Sequence, residues 1–186
     1  MLGSYLAERF GARVFAPLAI VIAVAASAGE LSFAGSGADA IFALLLLAQF
    51  RSWDDLADRG HDAVAHPDRV VVRAASVAPL VAFSGGLAIV NICLAVLRDG
   101  TGIAVAVVTA LIGILGIWYS LRRGRTAAGD SLLLSKYPAM VVVIAGSRVL
   151  ITPLPILASA LALYVAVCVY EVWHDPASPL FIGGHR

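Results

Sequence analysis

The sequence predicts an all-α fold: an integral membrane bundle of about six transmembrane helices, forming a single domain over residues 1–186. Three observations carry that expectation. The chain is 61% hydrophobic and only 13% charged, with a mean hydropathy of +0.93, whereas a soluble domain carries about 25% charged residues. Its apolar runs approach the ~20 residues that a membrane-crossing helix needs. Its basic residues gather in alternate connections between those runs, as in multi-pass proteins. A net charge of +1 excludes a basic nucleic-acid binder. The two cysteines, Cys93 and Cys168, lie in apolar runs, which excludes a disulfide framework.

The elements follow in order. The first apolar run, 14–29, comes after Arg9 and Arg13. Basic residues, apolar run and Ala26-Ser27-Ala28 also match a signal peptide, but the expectation here is a retained helix. Gly29 to Gly37 reads as a turn-rich loop before a second span at 38–51. Spans three and four, 74–97 and 102–121, are separated by a tight turn at Arg98-Asp99-Gly100. Spans five and six, 137–152 and 154–173, are divided by Pro153 and Pro155, which interrupt helical hydrogen bonding. The second and fifth spans are short, so they would thin the bilayer or extend into their polar flanks. With both termini and the two long polar connections on one side, that side holds eleven basic residues and the other holds Arg98 and Arg148. The positive-inside bias then makes both termini and both connections cytoplasmic, with Lys136 and Arg13 read mainly as topology signals.

The acidic residues are less evenly spread. Five lie between Asp54 and Asp68. If the second helix continues into this stretch, Asp55, Asp58 and Asp62 fall at i, i+3 and i+7, and Asp54 joins Asp58 at i+4. All four would crowd one face, where each like-charge pair costs about 0.2–0.5 kcal/mol. Arg51 and Arg59, one turn either side of Asp55, would offset part of this. A divalent cation would offset more, and hard carboxylate oxygens suit Mg²⁺, which typically takes one or two carboxylates plus substrate phosphates. The plainer reading is a solvated acidic connection. A second acidic pair, Glu171 and Asp175, sits at i, i+4 where the sixth span ends, on the same side as the first cluster. Carboxylates at such a boundary are functional candidates, unless the helix simply meets water with Trp173 as its interfacial anchor. Arg69 and Arg73 precede the third span, and Arg122, Arg123 and Arg125 follow the fourth. Arginine suits bidentate phosphate contacts, although part of this charge only signals topology.

Asp54-Asp55-Leu-Ala-Asp58-Arg-Gly-His-Asp62 resembles the N/D-D-x-x-D-x-x-x-D motif of the UbiA superfamily of intramembrane prenyltransferases. Arg69-Val-Val-Val-Arg73 resembles the paired arginines that follow that motif, with Ala74 where the family usually has proline. Tyr119-Ser-Leu-Arg122-Arg123 resembles the Tyr and basic residues after the family's fourth span. Glu171-x-x-x-Asp175 resembles its second aspartate motif, with Glu in place of the first Asp. The resemblance covers roughly 9–176. The family normally has about nine spans, and this chain has six; the remainder would close one side of the bundle.

The resemblance implies Mg²⁺-dependent transfer of an isoprenyl group from an isoprenyl diphosphate to an acceptor of unspecified class. Asp54, Asp55, Asp58 and Asp62 would hold one Mg²⁺, and Glu171 and Asp175 another. Arg69, Arg73, Arg122 and Arg123, with Arg51, would meet the phosphates. Asp55 and Asp58 would matter most. Trp53, Tyr119, Tyr170 or Trp173 would face the developing cation, and Asn91 would contact the acceptor, unless it simply bonds between helices. The implied partners are the bilayer, the donor and the acceptor, with no nucleic acid, and a homo-oligomer or partner membrane protein to complete the bundle.

Three competitors stand beside this. A non-catalytic subunit of a membrane complex would keep the fold with fewer spans. A CDP-alcohol phosphotransferase has six spans and Mg²⁺-binding aspartates, but its D-G-x-x-A-R signature is absent. A transition-metal site would use His61, His66 and His174 with Asp62 and Asp175, but no H-x-x-x-H or Cys-rich pattern supports it.

Overall fold

A computed structural model describes residues 1–29, 33–99, 102–122, 124–175 and 178–180. The described residues are helical throughout their regular structure. The elements are α1 Leu2–Arg9, α2 Ala12–Ala26, α3 Phe33–Ala57, α4 Arg59–Ala65, α5 Val70–Arg73 and α6 Ala78–Arg98. They continue with α7 Ile103–Leu121, α8 Ala127–Leu134, α9 Lys136–Ala145, α10 Arg148–Ile151 and α11 Pro153–His174.

Among the described residues, four stretches are long and apolar enough to cross a membrane: α6, α7, α8 with α9, and α11. A fifth is counted if α1 and α2, bent by 71° to each other, form one broken span. Only 28%, 22% and 17% of the apolar windows of α6, α7 and α11 are buried within the protein. Their outward faces carry Ile89, Val96, Ile117, Leu154, Leu161 and Val169, all exposed. A helix with so much apolar surface turned outward fits a hydrocarbon surround rather than water.

Helix α3 packs against α2 on one side and α6 on the other, α6 packs against α7, and α11 returns to pack against α2. Helix α9 is the hub, touching α2, α3, α7 and α11; its Met140, Val141, Val143, Ile144 and Ala145 are all buried. These contacts gather the described helices around α9. Ala19, Ala26, Ala43, Ala95, Ala104, Ala145 and Ala160 belong to the central cluster. Small residues let helix backbones approach closely where lipid supplies no hydrophobic drive. Asn91 on α6 donates to Gln49 on α3 at 2.7 Å, and both are fully buried.

The ends of the helices have local causes. Pro79 stands in the first turn of α6, where its missing N–H costs nothing. The Asp99 carboxylate accepts from Ala104 N at 2.7 Å and caps the start of α7. Thr126 Oγ1 accepts from Gly129 N at 3.0 Å and starts α8. Gly146, at φ 54° and ψ −128°, stops α9.

Several sequence expectations change. The loop expected over Gly29–Gly37 is already helical from Phe33, and residues 30–32 lie outside the described set. Of the turn expected at Arg98-Asp99-Gly100, Gly100 also lies outside it. The fifth span is the largest correction. It runs from Ala127 to Ala145 with a break at Ser135, not from 137 to 152. Gly146 ends it, and Arg148–Ile151 form a separate turn. Lys136 thereby moves from a connection into the middle of an apolar helix.

Candidate functional site

The motif carboxylates stand where α3 hands over to α4. The break at Asp58 is slight: Asp58 N donates to Asp54 O and Asp62 N to Asp58 O, both at 2.8 Å, so helical hydrogen bonding continues across it. Asp54, Asp58 and Asp62 are therefore stacked at successive turns on one face. A cavity of about 460 Å³ opens beside them, and these three aspartates line it with Arg51 and His61. The rest of the lining is Arg122, Gly124, Arg125, Asp130, Leu133, Leu134, Lys136, Tyr137 and Glu171, with Ala57.

Each aspartate is met by a cation from a different element. Lys136 and the Tyr119 hydroxyl both donate to Asp54. Arg122 donates to Asp58 and lies 5.2 Å from the Tyr119 ring centroid. Arg69 pairs with Asp62 at 2.5 Å. Burial raises the Asp58 carboxyl above the ordinary aspartate range, against the pull of Arg122. At the cavity mouth Arg125 reaches Asp130 at 2.7 Å, Glu171 at 3.1 Å and Asp175 at 2.6 Å. Burial alone would lower the Arg125 pKa, but its hydrogen bonds to Asp175 and Asp130 outweigh it and hold the guanidinium above the usual arginine range.

Asp55 departs from the sequence reading. One residue on from Asp54 is a 100° step round a helix, and Asp55 points to the far side of α3. There it accepts from Arg9 at 2.7 and 3.1 Å and from the Tyr5 hydroxyl at 2.9 Å, with Arg51 at 3.4 Å. It does not line the cavity. Its burial, opposed by Arg51 and by the Tyr5 hydrogen bond, pushes its carboxyl up to about 6. Arg59 does not offset Asp55 either; it donates to the carbonyls of Val71 and Ala74 and ties α4 to α5.

The remaining candidates divide. Arg51, Arg122 and Glu171 line the cavity, Tyr119 reaches it through Asp54, Arg69 through Asp62, and Asp175 through Arg125. Arg73 ends α5 and is not among the lining residues. Asn91 is spent on Gln49. Trp173 is 79% exposed and turned away, an interfacial position. Arg123 lies outside the described residues. The three histidines do not converge: His61 faces the cavity, His66 lies at a separate hollow with Glu8 and Arg69, and His174 stacks on Tyr170 at 5.2 Å.

Lys136 and Asp130 are charged cavity residues to which sequence reasoning gave no site role, and Arg125 was named there only among the arginines after the fourth span. Lys136 reads as a topology signal only while the fifth span is placed too late. Thr126, a helix-starting residue ahead of Leu132–Leu134, was the available sign that the helix begins earlier.

Among the described residues, no three His, Cys, Asp or Glu side chains come together at metal-binding separation. Asp54 and Asp58 on adjacent turns are still the one or two carboxylates that Mg²⁺ uses when phosphates complete its shell. Five carboxylates and four basic side chains line the cavity. It is nearly neutral, and its carboxylates and cations are interleaved as ion pairs. No protein-family model, curated protein or solved structure matches this chain.

Proposed function

We propose that this chain is a membrane prenyltransferase of the UbiA type, transferring an isoprenyl group from an isoprenyl diphosphate to a small or lipid acceptor. One observation carries the reading. Three aspartates one turn apart line a cavity at one end of an apolar helical bundle, with Lys136 paired to Asp54, Arg122 to Asp58, and Arg51 and Arg125 also in the lining. A diphosphate that brings a divalent cation supplies a partner for the aspartates and an anion for the cations they release.

In this reading Asp54 and Asp58 hold Mg²⁺, and Glu171 and Asp175 support it from α11. The metal supplies Lewis-acid charge stabilisation on the leaving diphosphate. Arg51, Arg122 and Arg125 bind and orient the phosphate oxygens, which fixes the allylic carbon over the apolar interior. Tyr119 and Trp53, with ring centroids 5.5 Å apart, present aromatic faces near that point and exclude water from a cationic carbon. The proposal takes the bundle as six spans with its charged end cytoplasmic. Either the chain acts alone or a second membrane chain adds to it.

The test is Mg²⁺-dependent binding of a non-ionisable isoprenyl thiodiphosphate to the purified protein in detergent. Binding that needs Mg²⁺ and weakens at least about tenfold in Asp58→Asn supports the reading. Equal binding with EDTA and in Asp58→Asn would overturn it. Binding of that kind with no turnover for any donor would mark a non-catalytic subunit.

A further inference from the structure

We infer that Lys136 is a phosphate-binding cation of this cavity, held on Asp54 until an anionic ligand arrives. The inference rests on the diphosphate reading above and adds a residue that the sequence motifs do not contain. Lys136 opens α9, the buried hub of the bundle, and its side chain is 8% exposed. Holding an ammonium there carries a desolvation cost. Asp54 meets that charge and also accepts from the Tyr119 hydroxyl, so it is shared between two donors. A lysine ammonium carries three donors. Asp54 takes one, Tyr137 offers only its ring face at 5.7 Å, and the side chain lines the cavity.

Arg51, Arg122 and Arg125 stand on the same cavity. Arg122 and Arg125 are held by Asp58, Asp130, Glu171 and Asp175. Lys136 is held in the same way by Asp54, and its side chain is the most buried of these cations at 8% exposed, against 15% for Arg122 and 41% for Arg125. It carries a compact, freely rotating charge where a planar guanidinium would need a wider slot. If a divalent cation took over Asp54, the ammonium would be free to turn to a phosphate oxygen. The ligand chemistry is a diphosphate, either free or on an isoprenyl chain.

The experiment is calorimetric titration of the full chain in detergent, with inorganic pyrophosphate and separately with the isoprenyl thiodiphosphate, each in EDTA and in Mg²⁺. The variants are Asp54→Asn, Lys136→Met and the two combined. Removing the Asp54 charge frees the ammonium, so Asp54→Asn should bind pyrophosphate severalfold more tightly in EDTA. Adding Lys136→Met should then weaken binding about ten- to hundredfold, the loss of a charged hydrogen bond. The combined variant leaves no unpaired buried charge, so it decides the matter even where Lys136→Met alone fails to fold. The same Lys136 dependence seen only with the isoprenyl analogue also supports the inference and assigns the ligand to the lipid source. Equal binding by Asp54→Asn and the combined variant would overturn it while leaving the cavity reading intact. No binding of either probe by the unaltered chain would remove both.

Discussion

At the scale of single residues, one helical step separates two roles. Asp54, Asp58 and Asp62 face the cavity, while Asp55 is buried against Tyr5 and Arg9. Asp58→Asn should therefore weaken Mg²⁺-dependent donor binding, and Asp55→Asn should leave it within about twofold. Breaking a buried pair from one side costs about 3–5 kcal/mol, so Asp55→Asn should instead lower the unfolding temperature. Donor titration and thermal unfolding of the two variants check this; the reverse pattern would put the ligand against α1. Helical spacing made the clustering of Asp54, Asp58 and Asp62 legible, but the same reading put Asp55 on that face with them. The role of Asp55 was not legible, because its partners lie about fifty residues away, on a helix the acidic motif does not mention. Lys136→Met should also lower the unfolding temperature, and Asp54→Asn beside it should recover most of the loss, read in the same melts.

At the scale of elements, the cavity depends on how α8 is set against α7. A Cβ on Gly129 would lie 2.2 Å from Cζ2 of Trp118. Only glycine lets the indole seal that contact. Gly129→Ala should cost about 1–3 kcal/mol through overpacking and displace the wall that carries Asp130 and Lys136. Trp118→Phe, which removes the clashing ring atoms, should restore stability when added to Gly129→Ala; stability measured across the double-mutant cycle checks the coupling. The helices of the first, third, fourth and sixth expected spans lie within a few residues of their expected bounds, whereas α3 runs from Phe33 to Ala57 rather than 38–51 and is not among the stretches apolar enough to cross a membrane. The fifth was misplaced because hydropathy alone favoured the Val141–Ile144 run. The signals that fix it, Thr126 at its start and Gly146 at its end, are single residues whose weight lies in backbone geometry.

At the scale of the whole molecule, charge is sorted to two ends. Asp39 on α3 pairs with Arg98 and with Arg148, the latter at 3.0 Å, about 22 Å along the helix from Asp54. Those two arginines are the pair that the topology argument placed apart from all other basic residues. One buried aspartate tying α3, α6 and α10 explains why they sit there against the positive-inside bias. If the charged cavity end is cytoplasmic, Gly124→Cys should resist an impermeant maleimide in intact cells and Ser147→Cys should react, with Cys93 and Cys168 replaced by Ala in both. The opposite labelling would invert the orientation. Packing of the helices on the α9 hub could not be read from the sequence, because periodicity shows which face is apolar and not which helix covers it.

The central claim is that the cavity carboxylates work on a metal-bearing isoprenyl diphosphate. The most direct measurement is pyrophosphate release by the purified chain from donors of increasing length, in Mg²⁺ and in EDTA, with Asp58→Asn alongside. Release that requires Mg²⁺ and falls at least about a hundredfold in Asp58→Asn is the expected result. Release that is indifferent to both, or none from any donor together with no Mg²⁺-dependent donor binding, would contradict it.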